Sequence, residues 1–137
     1  MKQKNNFGFT LIEMLVVLVL ITLLASLVGP KLFQKVGSSR SKVAKVQIDL
    51  ISSALDTYRL DVGKYPTTVQ GLVVLRAKPE NSKNWDGPYL SEDIPNDPWD
   101  KPYIYKRPGK LGSYALYTYG LNGEEGGEGE DQDLGKF

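Results

Sequence analysis

The chain has 137 residues, with 17 basic and 16 acidic side chains, and it contains neither cysteine nor histidine. The missing residue types exclude disulfides, thiolate metal sites, cysteine nucleophiles and imidazole acid–base catalysis. A formal net charge of +1 gives no general attraction for nucleic acid. These bounds leave room for one small globular domain beside an N-terminal segment, and they argue against most enzyme classes.

An apolar run follows a short basic leader that carries Lys2 and Lys4. The run covers 21 residues, from Phe9 to Gly29. A helix of that length spans about 31 Å, which is roughly the hydrocarbon thickness of a bilayer. Glu13 is its one charged residue, and a carboxylate at the centre of a membrane helix costs roughly 2.5–3.5 kcal/mol. The run is therefore predicted to be a transmembrane helix in which Glu13 is a functional residue that needs a partner.

Two other interpretations of the N-terminus stay open at this point. A secretory signal peptide would share the basic leader, but residues 25–30 (ASLVGP) lack the A-x-A pattern of a cleavage site. An ordinary signal anchor would let Glu13 extend to the membrane edge at low cost. Charge counting favours a cytoplasmic domain, because the basic residues between 31 and 45 outnumber those of the leader. The residues alone therefore do not fix the orientation.

An apolar stripe beyond the anchor, with spacings of four and three residues, predicts an amphipathic helix over 31–62. Charged residues such as Lys45 and Asp49 fall on the opposite face, so the stripe is expected to pack against a core rather than a partner groove. Gly29-Pro30 and Gly37 are expected to cause a kink or local unwinding. The members of the stripe are Ala44, Ile48, Ile51, Leu55, Tyr58 and Val62.

Residues 63–98 are predicted to form a variable loop region rich in turns. Thr67 and Gln70 have the spacing of a capping box, which predicts a short helix after them. Several prolines between 78 and 98 favour turns over long elements. Two aromatic residues are expected to attach this loop to the core, namely Trp85 and Tyr89.

Residues 102–119 are predicted to form a β-hairpin, because strand-forming side chains flank a turn at Pro108-Gly109. The tyrosines beside Lys106 and Arg107 also fit a base-stacking platform for single-stranded nucleic acid. Aromatic strands beside an amphipathic helix more often form a core, and we prefer that interpretation.

The acidic segment, which we define as residues 120–137, holds six of the 16 acidic side chains, interleaved with glycines. Such a run is typical of a solvated, disordered tail. A calcium loop is the alternative, since Ca²⁺ takes roughly six to eight oxygen ligands and glycines let a backbone fold around the ion. The segment has no EF-hand pattern, and composition alone favours the tail.

The leader and the start of the apolar run, residues 8–13 (GFTLIE), resemble those of type IV pilin-like proteins. The resemblance implies that a prepilin peptidase cleaves after Gly8 and methylates the new N-terminus at Phe9. It also implies that the domain lies outside the inner membrane. In such filaments Glu13 would pair with the N-terminal amine of a neighbouring subunit, and both groups are charged at pH 7.

Motifs further along narrow the resemblance to the major pseudopilin family of bacterial type II secretion systems. They cover nearly the whole chain: YPTT at 65–68, QGL at 70–72, GPYL at 87–90, DPW at 97–99 and GGEG at 126–129 before Asp133. Members of this family carry a Ca²⁺ ion in the last loop, so the resemblance favours a metal site over a tail.

The implied calcium ligands are Tyr119, through its backbone carbonyl, Asn122 and Asp133. Glu128 and Asp131 are less certain, because that part of the loop varies in length. Asn122 stands where the family usually has Asp, and a neutral oxygen is expected to weaken binding. Three further departures from the family pattern put the local turn and the closing aromatic contact in question: Asp100 for Gly, Ala115 for Asp and Phe137 for Trp.

The implied fold is α+β, a type IV pilin-like lollipop in which a long N-terminal helix packs on a small antiparallel β-sheet with a C-terminal metal-binding loop. The implied divisions are a cleaved leader (1–8), a transmembrane and filament-core helix (9–30) and a periplasmic domain (31–137). The protein would be a single-pass inner-membrane protein and not an enzyme.

The implied function is to polymerise into a pseudopilus that drives export of folded proteins through the outer-membrane secretin. The implied partners are further copies of the chain in a helical filament, the prepilin peptidase, minor pseudopilins, and an inner-membrane assembly platform with its ATPase. Nucleic acid is not among them.

The sequence leaves three alternative functions open. A type IV pilin for adhesion, motility or DNA uptake has a similar leader, although many such pilins carry a C-terminal disulfide and this chain has no cysteine. A membrane-anchored calcium-binding module that never polymerises is the second. A hydrolase that uses an acid pair in the acidic segment is the third, but it lacks defined pocket residues.

Overall fold

The computed structural model describes residues 8–137, apart from the side chains at 32–34. The predicted basic leader, with Lys2 and Lys4, therefore lies outside the described residues except for Gly8. The chain forms two compact units, which divide between Val36 and Gly37. The elements in chain order are helix α1 (Leu11–Val62), a 3-10 helix (Leu72–Leu75), strands β1 (Ile104–Lys106) and β2 (Ala115–Thr118), a second 3-10 helix (Gly129–Asp131) and strand β3 (Leu134–Lys136).

The N-terminal part of α1 carries the apolar run with its side chains exposed. Leu11 is 84% exposed and Leu27 is 68% exposed. By length and composition α1 qualifies as a membrane-spanning helix, and none of its apolar window is buried against the rest of the described chain. Apolar surface of this extent needs a cover of lipid or of other chains. This finding fits the predicted transmembrane segment.

Helix α1 continues through Pro30 and Gly37, so the local unwinding predicted at these positions is wrong, while the kink predicted as its alternative stays a prediction. A proline inside a helix removes one backbone donor and disturbs one turn, whereas the residues on both sides keep their helical hydrogen bonds. Gly37 has a different role, since it is buried beneath the acidic segment rather than placed at a break.

In the second unit, the apolar stripe of α1 forms one wall of the core, as the spacing predicts. Ala44 and Leu55 are fully buried, and Ile48, Ile51 and Tyr58 are at most 3% exposed. Val62 packs against the same cluster while partly exposed. The opposite wall comes from the sheet and the loops, through Leu75, Tyr105, Leu116 and Leu134.

The sheet has three antiparallel strands in the order β1-β2-β3. Ile104 pairs with Tyr117, and Thr118 pairs with Leu134. All four residues of the central strand β2 are buried. The predicted combination of a long N-terminal helix and a small antiparallel sheet is thus confirmed. Strand β3 lies within the acidic segment, where composition favoured a disordered tail.

The loop between α1 and β1 is fixed by side-chain hydrogen bonds. The backbone N–H of Thr67 donates to Gln70 Oε1 at 2.9 Å, and the N–H of Gln70 donates to Thr67 Oγ1 at 3.2 Å. The capping box predicted there is therefore confirmed, and the helix that follows it is the short 3-10 helix. Trp85 donates from Nε1 to the carbonyl of Val74 at 2.7 Å, and Tyr89 donates to Asp61 at 2.9 Å.

Three tyrosines of the hairpin belong to the core cluster, whereas Tyr117 is buried outside that cluster and Tyr119 is half-buried. Tyr103, Tyr105, Tyr114 and Tyr117 are each between 6 and 8% exposed. Rings buried in this way cannot stack on bases. The nucleic-acid interpretation of these residues is therefore not supported.

Candidate functional site

The start of α1 carries a capping box that involves Glu13. The backbone N–H of Thr10 donates to Glu13 Oε2 at 2.7 Å, and the Thr10 hydroxyl donates to the same oxygen at 2.9 Å. The N–H of Glu13 donates in turn to Thr10 Oγ1 at 3.2 Å. Thr10 thus occupies the N-cap position and Glu13 the third helical position, which satisfies two backbone donors that a helix start leaves unpaired.

Thr10 is the residue that the sequence reasoning missed. The pattern Thr-x-x-Glu at 10–13 is the same signature that was used at Thr67 and Gln70, so a local signal was available. The capping box means that Glu13 has a partner within its own chain. Both hydrogen bonds from Thr10 end on Oε2 of this carboxylate. Oε1 takes no part in the capping box, so it can accept a second partner.

The cleavage junction predicted at Gly8 and Phe9 precedes α1. A methyl group added at Gly8 would have no described neighbour within 4 Å, and the Phe9 side chain is 82% exposed. The junction lies outside the helix, in extended or irregular backbone that a peptidase can bind. This geometry is compatible with processing at Gly8.

A buried carboxylate, Asp97, organises the turn beside the acidic segment. Asp97 is 4% exposed and accepts hydrogen bonds from the backbone N–H groups of Trp99 (3.0 Å) and Lys101 (2.8 Å). The hydroxyl of Thr118 also donates to it. The N–H of Gly120 then donates to the Thr118 hydroxyl at 3.1 Å. Asp97 therefore fixes the point where the acidic segment leaves strand β2.

The acidic segment brings two of the predicted calcium ligands to one glycine. The Gly126 N–H donates to Asp133 Oδ2 at 2.9 Å, while the side-chain amide of Asn122 lies 3.5 Å from the Gly126 carbonyl. Asn122 Oδ1 accepts the N–H of Glu124 at 3.1 Å. Asn122 and Asp133 are thus held on either side of the Gly126 peptide group.

Asp133 Oδ1 is buried and has no hydrogen-bond partner within the described part of the chain. A buried carboxylate oxygen without a partner is costly unless a cation or a donor satisfies it. Asp133 therefore fits a hard cation such as Ca²⁺, which binds carboxylate oxygens. In residues 8–137 the structure brings together no group of three acidic side chains that would form a metal cluster by themselves.

For the remaining predicted ligands, no described contact joins the Glu128, Asp131 or Tyr119 side chain to Asn122 or Asp133. Glu128 and Asp131 meet through the backbone, where the Asp131 N–H donates to the Glu128 carbonyl at 3.1 Å. The Tyr119 ring packs on Tyr117, with 5.1 Å between the centroids. A hydrogen bond with the Tyr117 hydroxyl raises the pKa of Tyr119. A full set of six to eight oxygen ligands would need backbone carbonyls or water in addition.

Glu130 attaches the far side of the acidic segment to α1, and the sequence reasoning did not identify it. Its Oε1 lies 3.4 Å from Arg40 Nη1 and 3.4 Å from Trp99 Nε1. A methyl group added at Gly37 would lie 2.5 Å from Glu130 Cγ and 2.7 Å from Cδ. Gly37 therefore forms a notch in the helix that accepts the Glu130 side chain.

The three departures from the family pattern lie in a turn, in the central strand and at the C-terminus. Asp100 has a left-handed backbone with φ of 65°, a conformation in which glycine is the least strained residue. Ala115 is buried in β2. Phe137 packs against Tyr117 with 5.1 Å between the ring centroids, so an aromatic contact still closes the C-terminus.

The chain matches two known family models. The model described as type II secretion system (T2SS), protein G, matches residues 31–137. The model described as the prokaryotic N-terminal methylation motif matches residues 3–29.

Individual relatives match over nearly the full chain. The type II secretion system core protein G of Pseudomonas aeruginosa is 41% identical, with 100% of this chain and 99% of the relative covered. The protein of the same name from Vibrio cholerae is 40% identical, with 99% and 94% covered. A solved structure of the major pseudopilin from the type 2 secretion system of enterohaemorrhagic Escherichia coli is also similar. It superimposes with a TM-score of 0.64 at 32% identity, covering 77% of this chain and 93% of that one.

These matches agree with the leader motif and with a long N-terminal helix beside a small antiparallel sheet, and the family consists of structural subunits rather than enzymes. The chain therefore belongs to the type II secretion system protein G family, and it is a pseudopilin, a subunit of the pseudopilus of that system.

Proposed function

We propose that this pseudopilin is a single-pass protein of the bacterial inner membrane, with residues 31–137 in the periplasm. It polymerises into a helical filament that drives folded proteins through the outer-membrane secretin. The observation that carries this proposal is the exposed apolar surface of α1 with one carboxylate, Glu13, near its start. Lipid would cover that surface before assembly, and neighbouring helices would cover it in the filament.

Glu13 would act in subunit docking. Cleavage after Gly8 makes Phe9 the N-terminus, and an α-amine with a pKa of about 7.7–8.0 is largely protonated at pH 7. The capping box holds the Glu13 carboxylate through Oε2, so Oε1 is available to the Phe9 amine of the next subunit. Inside an apolar filament core the carboxylate and the amine would strongly stabilise each other electrostatically, and either charge alone would be costly to bury.

Filament assembly tests the docking role directly. Glu13→Gln keeps the size of the side chain and removes its charge, and Asp49→Asn makes the same change at an exposed position of α1. In cells that supply the assembly proteins, we expect Glu13→Gln to yield processed subunits that stay in the membrane. Filaments should fall at least about tenfold, the effect of roughly 1.4 kcal/mol per contact. Asp49→Asn should assemble normally, and wild-type filament levels from Glu13→Gln would refute the docking role.

Processing at Gly8 is tested by N-terminal sequencing and mass spectrometry of the membrane-extracted protein. We expect a mature chain that begins at N-methylated Phe9, and an uncleaved chain from Gly8→Val. A Cβ atom added at Gly8 meets no described neighbour within 4 Å, and Gly8 precedes α1, so we expect the substitution to leave the fold intact. A chain that begins at Met1 or near Ser26 would contradict a pseudopilin leader.

The other partners follow from the same proposal. The prepilin peptidase would process the leader, an inner-membrane assembly platform with its ATPase would extract the subunits, and minor pseudopilins would join the same filament. The capped helix start and the exposed run of α1 support these contacts, because both are accessible in the single chain.

We also propose that the acidic segment binds Ca²⁺. Asp133 and Asn122 would hold the ion together with the Tyr119 carbonyl, while Glu128 and Asp131 are weaker candidates. The Oδ1 of Asp133 supports this assignment, because it is buried and has no hydrogen-bond partner among the described residues. When bound, the ion supplies a divalent charge that gathers oxygen ligands and orders the segment. The residues of this chain hold Asp133 in place through the N–H of Gly126.

Thermal unfolding with and without calcium tests the metal site. At calcium about 100-fold above the dissociation constant, a single site stabilises the folded chain by about 2.7 kcal/mol. We expect Asp133→Ala to abolish the calcium-dependent rise in melting temperature. Glu124→Ala, which removes an exposed neighbouring charge, should retain most of the rise. An unchanged rise in Asp133→Ala would remove Asp133 from the ligand set.

A further inference from the structure

The ammonium group of Lys101 lies against the backbone at the start of the acidic segment. Its Nζ donates to the carbonyl of Leu121 at 2.6 Å and lies 3.3 Å from the carbonyl of Gly120. The Lys101 residue is half-buried, and its backbone N–H is fixed by the buried carboxylate of Asp97. The charge is therefore positioned by the fold rather than free in solvent.

The backbone of the segment turns around this ammonium. Residues 120–123 form the turn, and Gly123 has a left-handed φ of 74°. A methyl group added at Gly123 would lie 2.6 Å from Lys101 Nζ, so the position accepts no side chain while the lysine stays in place. An ammonium offers three hydrogen-bond donors and no acceptor, so carbonyl oxygens that converge on it accept its hydrogen bonds and are stabilised by its charge.

Backbone carbonyls of a loop are also the groups that Ca²⁺ uses. We propose that Lys101 is an internal cation of the acidic segment: its ammonium orders the turn at 120–123 without metal and lowers the affinity of the segment for Ca²⁺. The second half rests on the proposed calcium site. The carbonyls that hold the ammonium belong to Gly120 and Leu121, between the proposed ligands Tyr119 and Asn122 in the chain, and a positive charge there repels a divalent cation. The first half does not depend on calcium.

Hydrogen exchange of the full processed chain in detergent micelles tests both halves. The amides of Leu121 and Glu124 report on the turn, since they donate to Glu130 O at 2.9 Å and to Asn122 Oδ1 at 3.1 Å. In Lys101→Met without calcium, we expect these amides to exchange at least about tenfold faster. The control is Lys106→Met, which removes an exposed lysine whose charge also acts on Tyr119. This control should exchange like wild type.

Calorimetric titration with calcium chloride gives the second readout. We expect Lys101→Met to bind Ca²⁺ at least about threefold more tightly than wild type. Lys83→Met, which removes an exposed lysine of the loop between α1 and β1, should bind Ca²⁺ like wild type. Unchanged exchange at Leu121 and Glu124 in Lys101→Met would overturn the ordering role. Faster exchange with unchanged calcium affinity would overturn the antagonism between Lys101 and the ion.

Calcium binding by the wild type and the exchange of core amides serve as controls for the two halves of the proposal. If the wild-type chain binds no calcium at millimolar concentration, the proposed metal site is wrong, and the calcium-free exchange alone decides the role of Lys101. The amides of Ile51 and Leu55, inside the core stripe, show whether each variant is folded. If Lys101→Met loses protection there, Lys101→Gln takes its place, because it keeps a neutral donor.

Discussion

The notch at Gly37 makes a prediction whose sign depends on one distant side chain. In a solvent-exposed helix interior, replacing Gly by Ala stabilises by up to about 1 kcal/mol, because alanine loses less backbone entropy on folding. At Gly37 the new methyl group would lie 2.5 Å from Cγ of Glu130. The Glu130 side chain must therefore leave its position before alanine can be accommodated.

The magnitude follows from the contacts that Glu130 would lose. Its ion pair with Arg40 is partly exposed, at 45% and 30% side-chain exposure, so we assign it about 0.5 kcal/mol. Its contact with Trp99 Nε1 at 3.4 Å is a long hydrogen bond, and we assign it about 0.5–1 kcal/mol. The loss of about 1–1.5 kcal/mol equals or exceeds the propensity gain of about 0.5–1 kcal/mol, so Gly37→Ala should be neutral or destabilise by up to about 1 kcal/mol.

The same substitution should stabilise in a chain that already lacks Glu130. In the Glu130→Ala background, we expect Gly37→Ala to add about 0.5–1 kcal/mol, which gives a coupling energy of about 1 kcal/mol between the two positions. The assay is urea unfolding of the full-length wild type and the three variants in detergent micelles, followed by the fluorescence of the two tryptophans. If Gly37→Ala has the same effect on stability in both backgrounds, the proposed contact between position 37 and the Glu130 side chain is wrong.

Three further predictions concern the sheet, the core tyrosines and the turn. Leu116→Ala should lower the free energy of unfolding by about 2–5 kcal/mol in urea unfolding, because Leu116 is 0% exposed in the central strand; a loss below about 1 kcal/mol would contradict its core position. Burial raises the pKa of Tyr105 from 10.0 to about 12, so its stabilising contribution is complete below pH 10 and is lost as pH rises through 12. Tyr105→Phe should therefore cost about 1 kcal/mol at pH 7, where the hydrogen bond to Pro66 is lost, and should flatten the fall in stability between pH 10 and 12. Asp100→Gly should raise stability by up to about 1 kcal/mol, because glycine relieves the left-handed backbone; a loss would show that the bond from Asn96 to Asp100 at 3.0 Å outweighs the strain.

Local patterns in the sequence predicted the parts of the fold that depend on short-range rules. The stripe from Ala44 to Val62 is buried as its spacing indicates, and the capping box at Thr67 and Gln70 is present. The capping box at Thr10 and Glu13 obeys the same rule. The cost of a charge in a membrane helix favours a partner for Glu13 on another chain, whereas the Thr-x-x-Glu spacing predicts one within its own chain.

Contacts between distant positions were not predictable from the residues alone. Arg40 and Glu130 are 90 positions apart, so no local period links them. The Lys101 ammonium contacts carbonyls 19 and 20 positions away. Every residue has a backbone carbonyl, so the residue types do not indicate which carbonyls a lysine will contact. Strand β3 is hidden for a related reason: its pairing with β2 supplies the order that a glycine-rich, acidic composition argues against.

The central claim is that Glu13 of one subunit meets the N-terminus of the next. The measurement that tests it most directly is a cryo-electron microscopy reconstruction of the filament at a resolution that shows side chains. We expect a Glu13 carboxylate oxygen within about 4 Å of the Phe9 nitrogen of the neighbouring subunit, with Thr10 still bound to the other oxygen. A filament in which Glu13 contacts only its own Thr10, with the Phe9 amine elsewhere, would contradict the claim.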